Sequence, residues 1–203
     1  MRISRLTGCI AVGVLMFVSL SGVARAAESC ATVVGHLVSL EGRIDIQHAS
    51  TPAWSTGTLN DALCQGDLIR AGERSRATVQ LINQAVLRID QNTAMRLDNI
   101  TAQAEERSAF SLIKGAFQSF SRKPRGFEVN TPYLNGSIEG TEFVFRVEDE
   151  ESVLTVLEGT VIASNDQGKL KVPGGTAAAA KAGQAPQPRI VVHPRDAVQW
   201  SLY

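Results

Sequence analysis

From Val33 onward the chain alternates apolar and polar residues with a period of two. Ile44 and Ile46 alternate with Arg43, Asp45 and Gln47; Val79 and Leu81 alternate with Thr78 and Gln80. Leu87 and Ile89 then alternate with Arg88 and Asp90, and Met95 and Leu97 with Arg96 and Asp98. Successive side chains of a strand face opposite sides, so each segment offers one apolar and one polar face. Antiparallel sheets with one wet face carry this pattern. The reading is an all-β protein of compact, twisted antiparallel sheets, sandwich-like or solenoid-like, with a short helical turn at most. Asn99 to Ser108 is the one weakly helical stretch, and it is too polar to bury much.

A short pattern recurs inside the β runs. "LEGRI" (Leu40–Ile44), "IKGAF" (Ile113–Phe117) and "LEGTV" (Leu157–Val161) share an apolar residue, a charged residue, glycine, any residue and an apolar residue. Glycine tolerates positive φ, so each copy predicts a bent strand or a sharp strand connection. The spacing of the copies is irregular, which excludes a fixed-period repeat array. "VPGGTAAAAKAGQAPQP" (Val172–Pro188) shifts to Pro, Gly and Ala and predicts an extended loop or linker. In "HPRDAVQWSLY", Asp196 is positioned to cap a helix of hardly two turns, with Val198, Trp200, Leu202 and Tyr203 as packing groups.

The first residues stand apart. Arg2 and Arg5 precede an apolar or small run from Ile10 to Val23, and "ARA" at Ala24–Ala26 offers small residues to a signal peptidase. This is the pattern of a secretory signal peptide. The alternative is an uncleaved anchor, although the run is shorter than the ~20 residues a spanning helix needs. Cleavage after Ala26 would leave 177 residues (203 − 26) with a charge of 17 − 20 = −3. A slightly acidic product has no electrostatic reason to seek nucleic acid or anionic lipid. Cleavage would also remove Cys9 and leave Cys30 and Cys64, an even pair that in an exported protein reads as a disulfide.

No reaction is written in the residues. "NGSIEGTEF" (Asn135–Phe143) is the most site-like stretch. A nucleophile elbow needs G-x-S-x-G before a helix. Here Ser137 comes one place early, and a strand-like alternation follows at Phe143, Phe145 and Val147. A phosphate loop needs its second glycine one residue later and then a lysine. The bland reading, a turn at Asn135-Gly136 before a strand, explains the stretch better. "EDEE" (Glu148–Glu151) reads as a solvated hairpin turn and "RKPRG" (Arg122–Gly126) as a charged loop. His36, His48 and His193 lack metal-ligand spacing. Catalytic residues, metal ligands and cofactors are therefore all expected to be none.

Two segments resemble the FecR-type periplasmic domain, the family of the ferric-citrate signal transducer. The first is "LCQGDLIRAGERSRATVQL" (Leu63–Leu81), with Gly66, Asp67 and Gly72. The second is "TPYLNGSIEGTEFVFRVEDEESVLTVLEGTVIAS" (Thr131–Ser164), with Thr131, Pro132, Gly140, Thr141, Phe143 and Gly159. The resemblance spans roughly Val33 to Ser164 and rests on turn-and-strand motifs, so these positions are expected to be structural. It implies a non-catalytic, mostly β domain outside the cytoplasmic membrane that works through envelope protein partners as a sensor or scaffold. Only nine residues precede the apolar run, too few for the cytoplasmic sigma-regulating segment of the ferric-citrate type. The tail resembles a junction that leads into helical repeats in larger relatives. The expected organisation is a signal peptide at 1–26, a FecR-like domain at 27–171, a loop or linker at 172–188, and a C-terminal strand and tail at 189–203. The expected location is the periplasm or the exterior, with no membrane insertion after cleavage. The alternative role is binding of cell-wall glycan or surface polysaccharide, against which stands an aromatic content of 5%.

Overall fold

A computed structural model describes residues 32–202. The signal-peptide segment, Cys30 and Tyr203 lie outside the described residues. The strands run in chain order as β1 (Val33–Glu41), β2 (Ile44–Gln47), β3 (Trp54–Thr56), β4 (Ala62–Cys64), β5 (Leu68–Ala71), β6 (Arg76–Leu81) and β7 (Val86–Ile89). They continue as β8 (Ala94–Asn99), β9 (Ser108–Asn130), β10 (Asn135–Glu148), β11 (Glu151–Asn165), β12 (Gly168–Pro173), β13 (Thr176–Lys181) and β14 (Gln187–Arg189). A 3-10 helix over Pro194–Leu202 is the last described element. The protein is all-β: every strand pairing is antiparallel, and the sheet does not close into a barrel.

The sheet forks at β9. One arm runs β14-β13-β11-β10-β9-β7-β6-β1-β4, and the other runs from β9 through β8, β5 and β2 to β3. Residues 109–114 of β9 pair with β8, while Phe117–Phe120 pair with β7 on one side and β10 on the other. Gly115 makes that change of partner possible. Its φ is +82°, and a Cβ there would lie 2.5 Å from the Thr93 Cα and 2.9 Å from the Asn92 carbonyl oxygen. The same recurring pattern puts Gly42 at φ +70° between β1 and β2, and Gly159 at φ +101° within β11, where pairing passes from β13 to β12. The bent-strand expectation thus holds, with a difference of scale. Two of the copies sit inside strands of 23 and 15 residues rather than between short ones.

The alternating faces account for the core. Leu37, Val79, Leu87 and Phe117 from one arm share a single buried cluster with Ile46, Ile69, Met95 and Leu97 from the other. Phe110, Phe117, Phe127, Phe143 and Phe145 are fully buried and touch edge-on or stacked, with neighbouring ring centroids 5.5–6.2 Å apart. Aromatic pairs in such arrangements add about 0.5–1.5 kcal/mol each beyond their burial.

Four local expectations are corrected. The segment 172–188 is not a linker. Pro173, Gly174 and Gly175 turn β12 into β13, whose Ala177, Ala178 and Ala180 are buried against β11. Asn99–Ser108 holds no helix; Ser108 Oγ ties the loop by accepting from the Thr101 N–H and the Asn83 amide. "RKPRG" lies within β9 as a large bulge, in which Ser121, Arg122, Lys123 and Pro124 stand opposite Thr141 alone. The turn before β10 is Thr131–Leu134, and Asn135-Gly136 already belong to the strand. "EDEE" is the expected hairpin turn, with Asp149 at φ +50°.

Candidate functional site

The motif residues are dispersed, and each has a local structural task. Asp67 is fully buried at the start of β5. Its carboxylate accepts from the Cys64 N–H at 2.7 Å, from the Ala49 N–H at 3.0 Å and from His48 Nδ1 at 2.9 Å. Burying a carboxylate is costly unless its lone pairs are met, and these donors meet them. Gly66, at φ +84°, makes the turn that aims Asp67 inward and gives its N–H to the Leu97 carbonyl at 2.7 Å. Gly72 donates to the Arg43 carbonyl at 3.0 Å and so joins the end of β5 to the start of β2. His48, Cys64 and Asp67 bring one metal-ligating atom each within 4.8 Å of one another. Both Asp67 oxygens are already engaged by N–H donors, so the cluster works as a clasp between two turns.

Thr131 and Pro132 form the turn before β10. Thr131 Oγ1 accepts from the Leu134 N–H at 3.1 Å, donates to the Leu134 carbonyl and lies 2.8 Å from Ser152 Oγ. Thirteen positions of β10 pair with β11. Gly140 stands opposite Gly159 in the middle of that ladder, beside a register shift. A Cβ on Gly140 would meet the Glu158 carbonyl oxygen at 2.7 Å, and one on Gly159 would meet the Gly140 Cα at 2.4 Å. Here the two backbones touch. Thr141 faces the β9 bulge with its buried hydroxyl lacking a hydrogen-bond partner, and Phe143 is a centre of the aromatic cluster. Ser137, the serine of the site-like stretch, accepts from Arg107 Nη1 at 3.0 Å, and among the described residues no hydrogen bond joins it to a histidine or a carboxylate. The stretch is a strand entry and not a reactive elbow.

The structure adds a feature on the opposite face of the sheet. Ala116 and Gln118 of β9, Val144 of β10 and Thr155 of β11 alternate with core residues and so point away from the core, yet they are 1–5% exposed. The C-terminal 3-10 helix covers this face. Ala197 lines a cavity of about 220 Å³ with Val144 and Thr155, Val198 is 5% exposed, and Ser201 lies 3.4 Å from Arg88 Nη1. The sequence pointed to Val198 and Trp200 as packing groups. It misplaced Asp196, which lies inside the first turn, gives its N–H to the His193 carbonyl at 3.0 Å and accepts from Gln199. Among the described residues no helix is long and apolar enough to cross a membrane.

Comparison with known proteins agrees with this architecture. Residues 67–162 match the family model described as FecR protein. Two crystal structures of a proposed anti-sigma factor from Parabacteroides distasonis, at 1.65 and 2.50 Å resolution, superpose with TM-scores of 0.57 and 0.56 at 14% identity. Each match covers 66% of this chain and 64% or 63% of the other, so the chain spans less than two thirds of those proteins. At that identity the likeness is one of fold. No curated protein matches the sequence.

Proposed function

We propose, from the match of residues 67–162 to the FecR protein family model, that the chain is an exported, non-catalytic module that works by protein–protein contact, as a sensor or scaffold in the bacterial envelope. The family match is the observation that carries the reading. The arrangement of the motif residues supports it. Asp67, Gly72, Thr131, Gly140 and Gly159 secure turns and close backbone approaches, and they converge on no common cleft. The proteins of similar fold are described as anti-sigma factors, and a signalling role for this chain is part of the proposal. Envelope location, through the basic and apolar start of the sequence, belongs to the proposal as well.

Among the described residues the exposed aromatic side chains are Trp54 and Phe120, at 38% and 41%, which is little surface for the glycan alternative. Sugar-binding surfaces need open aromatic faces. The Trp54 ring has the Arg70 guanidinium stacked over it at 4.2 Å, and five of the seven phenylalanines are fully buried. Cell fractionation followed by photo-crosslinking from Phe120, which is 41% exposed, tests the reading. The expected result is a discrete protein adduct in the periplasmic or envelope fraction. A cytosolic product, or retention on purified cell-wall glycan with no protein adduct, would overturn it.

A further inference from the structure

The arm through β8 has an outward face on which charge is sorted by depth. Alternation puts Ile46, Ile69, Met95 and Leu97 in the core and turns Asp45, Arg70, Arg96 and Asp98 to the other side. Arg43 comes just before the buried Ile44 and shares that side with Asp45. The side chains of Arg43, Arg70 and Arg96 are 72%, 43% and 51% exposed, whereas those of Asp45 and Asp98 are 8% and 21% exposed. Solvent therefore meets guanidinium groups, with the carboxylates beneath them.

The carboxylates also fix how the arginines stand. Arg43 Nε donates to both oxygens of Asp45, at 3.0 and 3.1 Å, and Arg70 Nη2 donates to Asp45 Oδ2 at 3.3 Å. Arg96 Nε donates to Asp98 Oδ1, and Ser111 Oγ donates to Asp98 Oδ2 at 2.6 Å. The Arg70 guanidinium stacks on the Trp54 ring as well. Arg43 and Arg96 are thus gripped at Nε, and among the described residues their Nη1 and Nη2 groups have no hydrogen-bond partner. A guanidinium held in place with two N–H groups unused is a preset fork for a carboxylate.

Strand register sets the spacing. Asp45 stands opposite Arg70, Arg70 opposite Ala94, and Leu68 opposite Arg96. Each arginine therefore lies one strand across and two residues along from the next, in the order Arg43, Arg70, Arg96. With strands ~4.8 Å apart and a rise of ~3.4 Å per residue, that diagonal step is about 8 Å. An extended segment repeats its side chains on one side every ~6.8 Å, so carboxylates at alternate residues fall within reach of all three arginines. Trp54 and Leu68 flank the diagonal on one side, and Ile113, 48% exposed, lies toward the other. Tryptophan and arginine ringed by aliphatic groups is a composition enriched at protein interfaces.

We propose that this face docks an extended acidic segment of a partner protein, whose alternate carboxylates are received by Arg43, Arg70 and Arg96. The inference rests on the protein–protein reading and names a surface and a partner chemistry for it.

Fluorescence anisotropy on the full chain tests it with two labelled hexapeptides of equal composition and charge, Glu-Ser-Glu-Ser-Glu-Ser and Glu-Glu-Glu-Ser-Ser-Ser. When extended, the first offers a carboxylate to each arginine and the second to only two of them. The alternating peptide should bind saturably and at least about tenfold more tightly, the worth of one charge-assisted contact. Equal affinities, or no saturable binding of the alternating peptide, would overturn the proposal. Arg43→Lys/Arg96→Lys keeps the charge and removes the forks, and it should weaken the alternating peptide at least about tenfold. Unchanged affinity would mean unspecific attraction and would also overturn it. The peptide comparison uses the wild-type chain, so it decides whatever the stability of that variant. A sulfated dextran that displaces the peptide at a lower concentration of charge would assign the face to polyanions instead. Any of these failures leaves the envelope-partner reading to its own crosslinking test at Phe120, and a cytosolic product there would leave the peptide result standing.

Discussion

The contact between Gly140 and Gly159 can be measured against an internal reference. Gly159 has φ +101°, and a Cβ there would lie 2.4 Å from the Gly140 Cα and 2.7 Å from the Glu139 carbonyl oxygen. These are backbone atoms in a paired ladder, and they cannot rotate aside as a side chain would. Gly175 has φ +80° with nothing within 4 Å of the added Cβ. Gly175→Ala therefore reports conformational strain alone, about 1 kcal/mol. Gly159→Ala adds the forced separation of two strands, an overpacking of about 1–3 kcal/mol, for a total of about 2–4 kcal/mol. In a domain of this size 1 kcal/mol moves the midpoint by about 2–4 °C. The two variants should then melt about 2–4 °C and about 4–16 °C below wild type by circular dichroism. Urea titrations with an unchanged slope would confirm that stability alone has moved. Equal losses for the two would refute the argument from backbone approach. They would leave the glycine there for its φ alone.

Asp67→Asn should cost about 3 kcal/mol in urea titration, because an amide cannot accept from all three surrounding donors and leaves a buried N–H unmet. Cys30 and Cys64 should be found bridged by non-reducing mass measurement, with no titratable thiol and no covalent dimer; the bridge should add about 3–4 kcal/mol. N-terminal sequencing of the exported protein should begin near Ala27, and an intact Met1 in the membrane fraction would instead make the protein anchored. Ser137→Ala should change stability by less than about 0.5 kcal/mol, since its partner Arg107 keeps the Ile138 carbonyl and the Glu139 carboxylate.

The residues that alternate strictly were legible. In β6 and β7, Ala77, Val79, Leu81, Leu87 and Ile89 all point into the core as the period predicts. What escaped had a different physical basis. β13 is written in alanines, too small to register as an apolar face, yet Ala177, Ala178 and Ala180 are buried beside β11. The β9 bulge carries Arg122, Lys123 and Pro124, residues that mark loops, because the strand there is displaced from its partner and its side chains are exposed. The covered face was unreadable for another reason. Val144 and Thr155 sit at positions the alternation assigns to solvent, and only the return of a segment distant in the chain buries them.

The shared strand β9 has a kinetic consequence. Its partners are β7 and β8, made before it, and β10, made after it. The arm through β8 can close once the chain reaches Lys114, but the other waits for β10 and then for β14, and most of the pairings that reward β9 are distant in sequence. Loop-closure entropy is then lost before compensation arrives, which places such a topology among slow folders. It also removes any natural point of division. Cutting at the Gly115 bend would give each fragment an unpaired strand edge and part Phe110 from Phe117 and Phe127, so the two arms should appear and disappear together in a single transition.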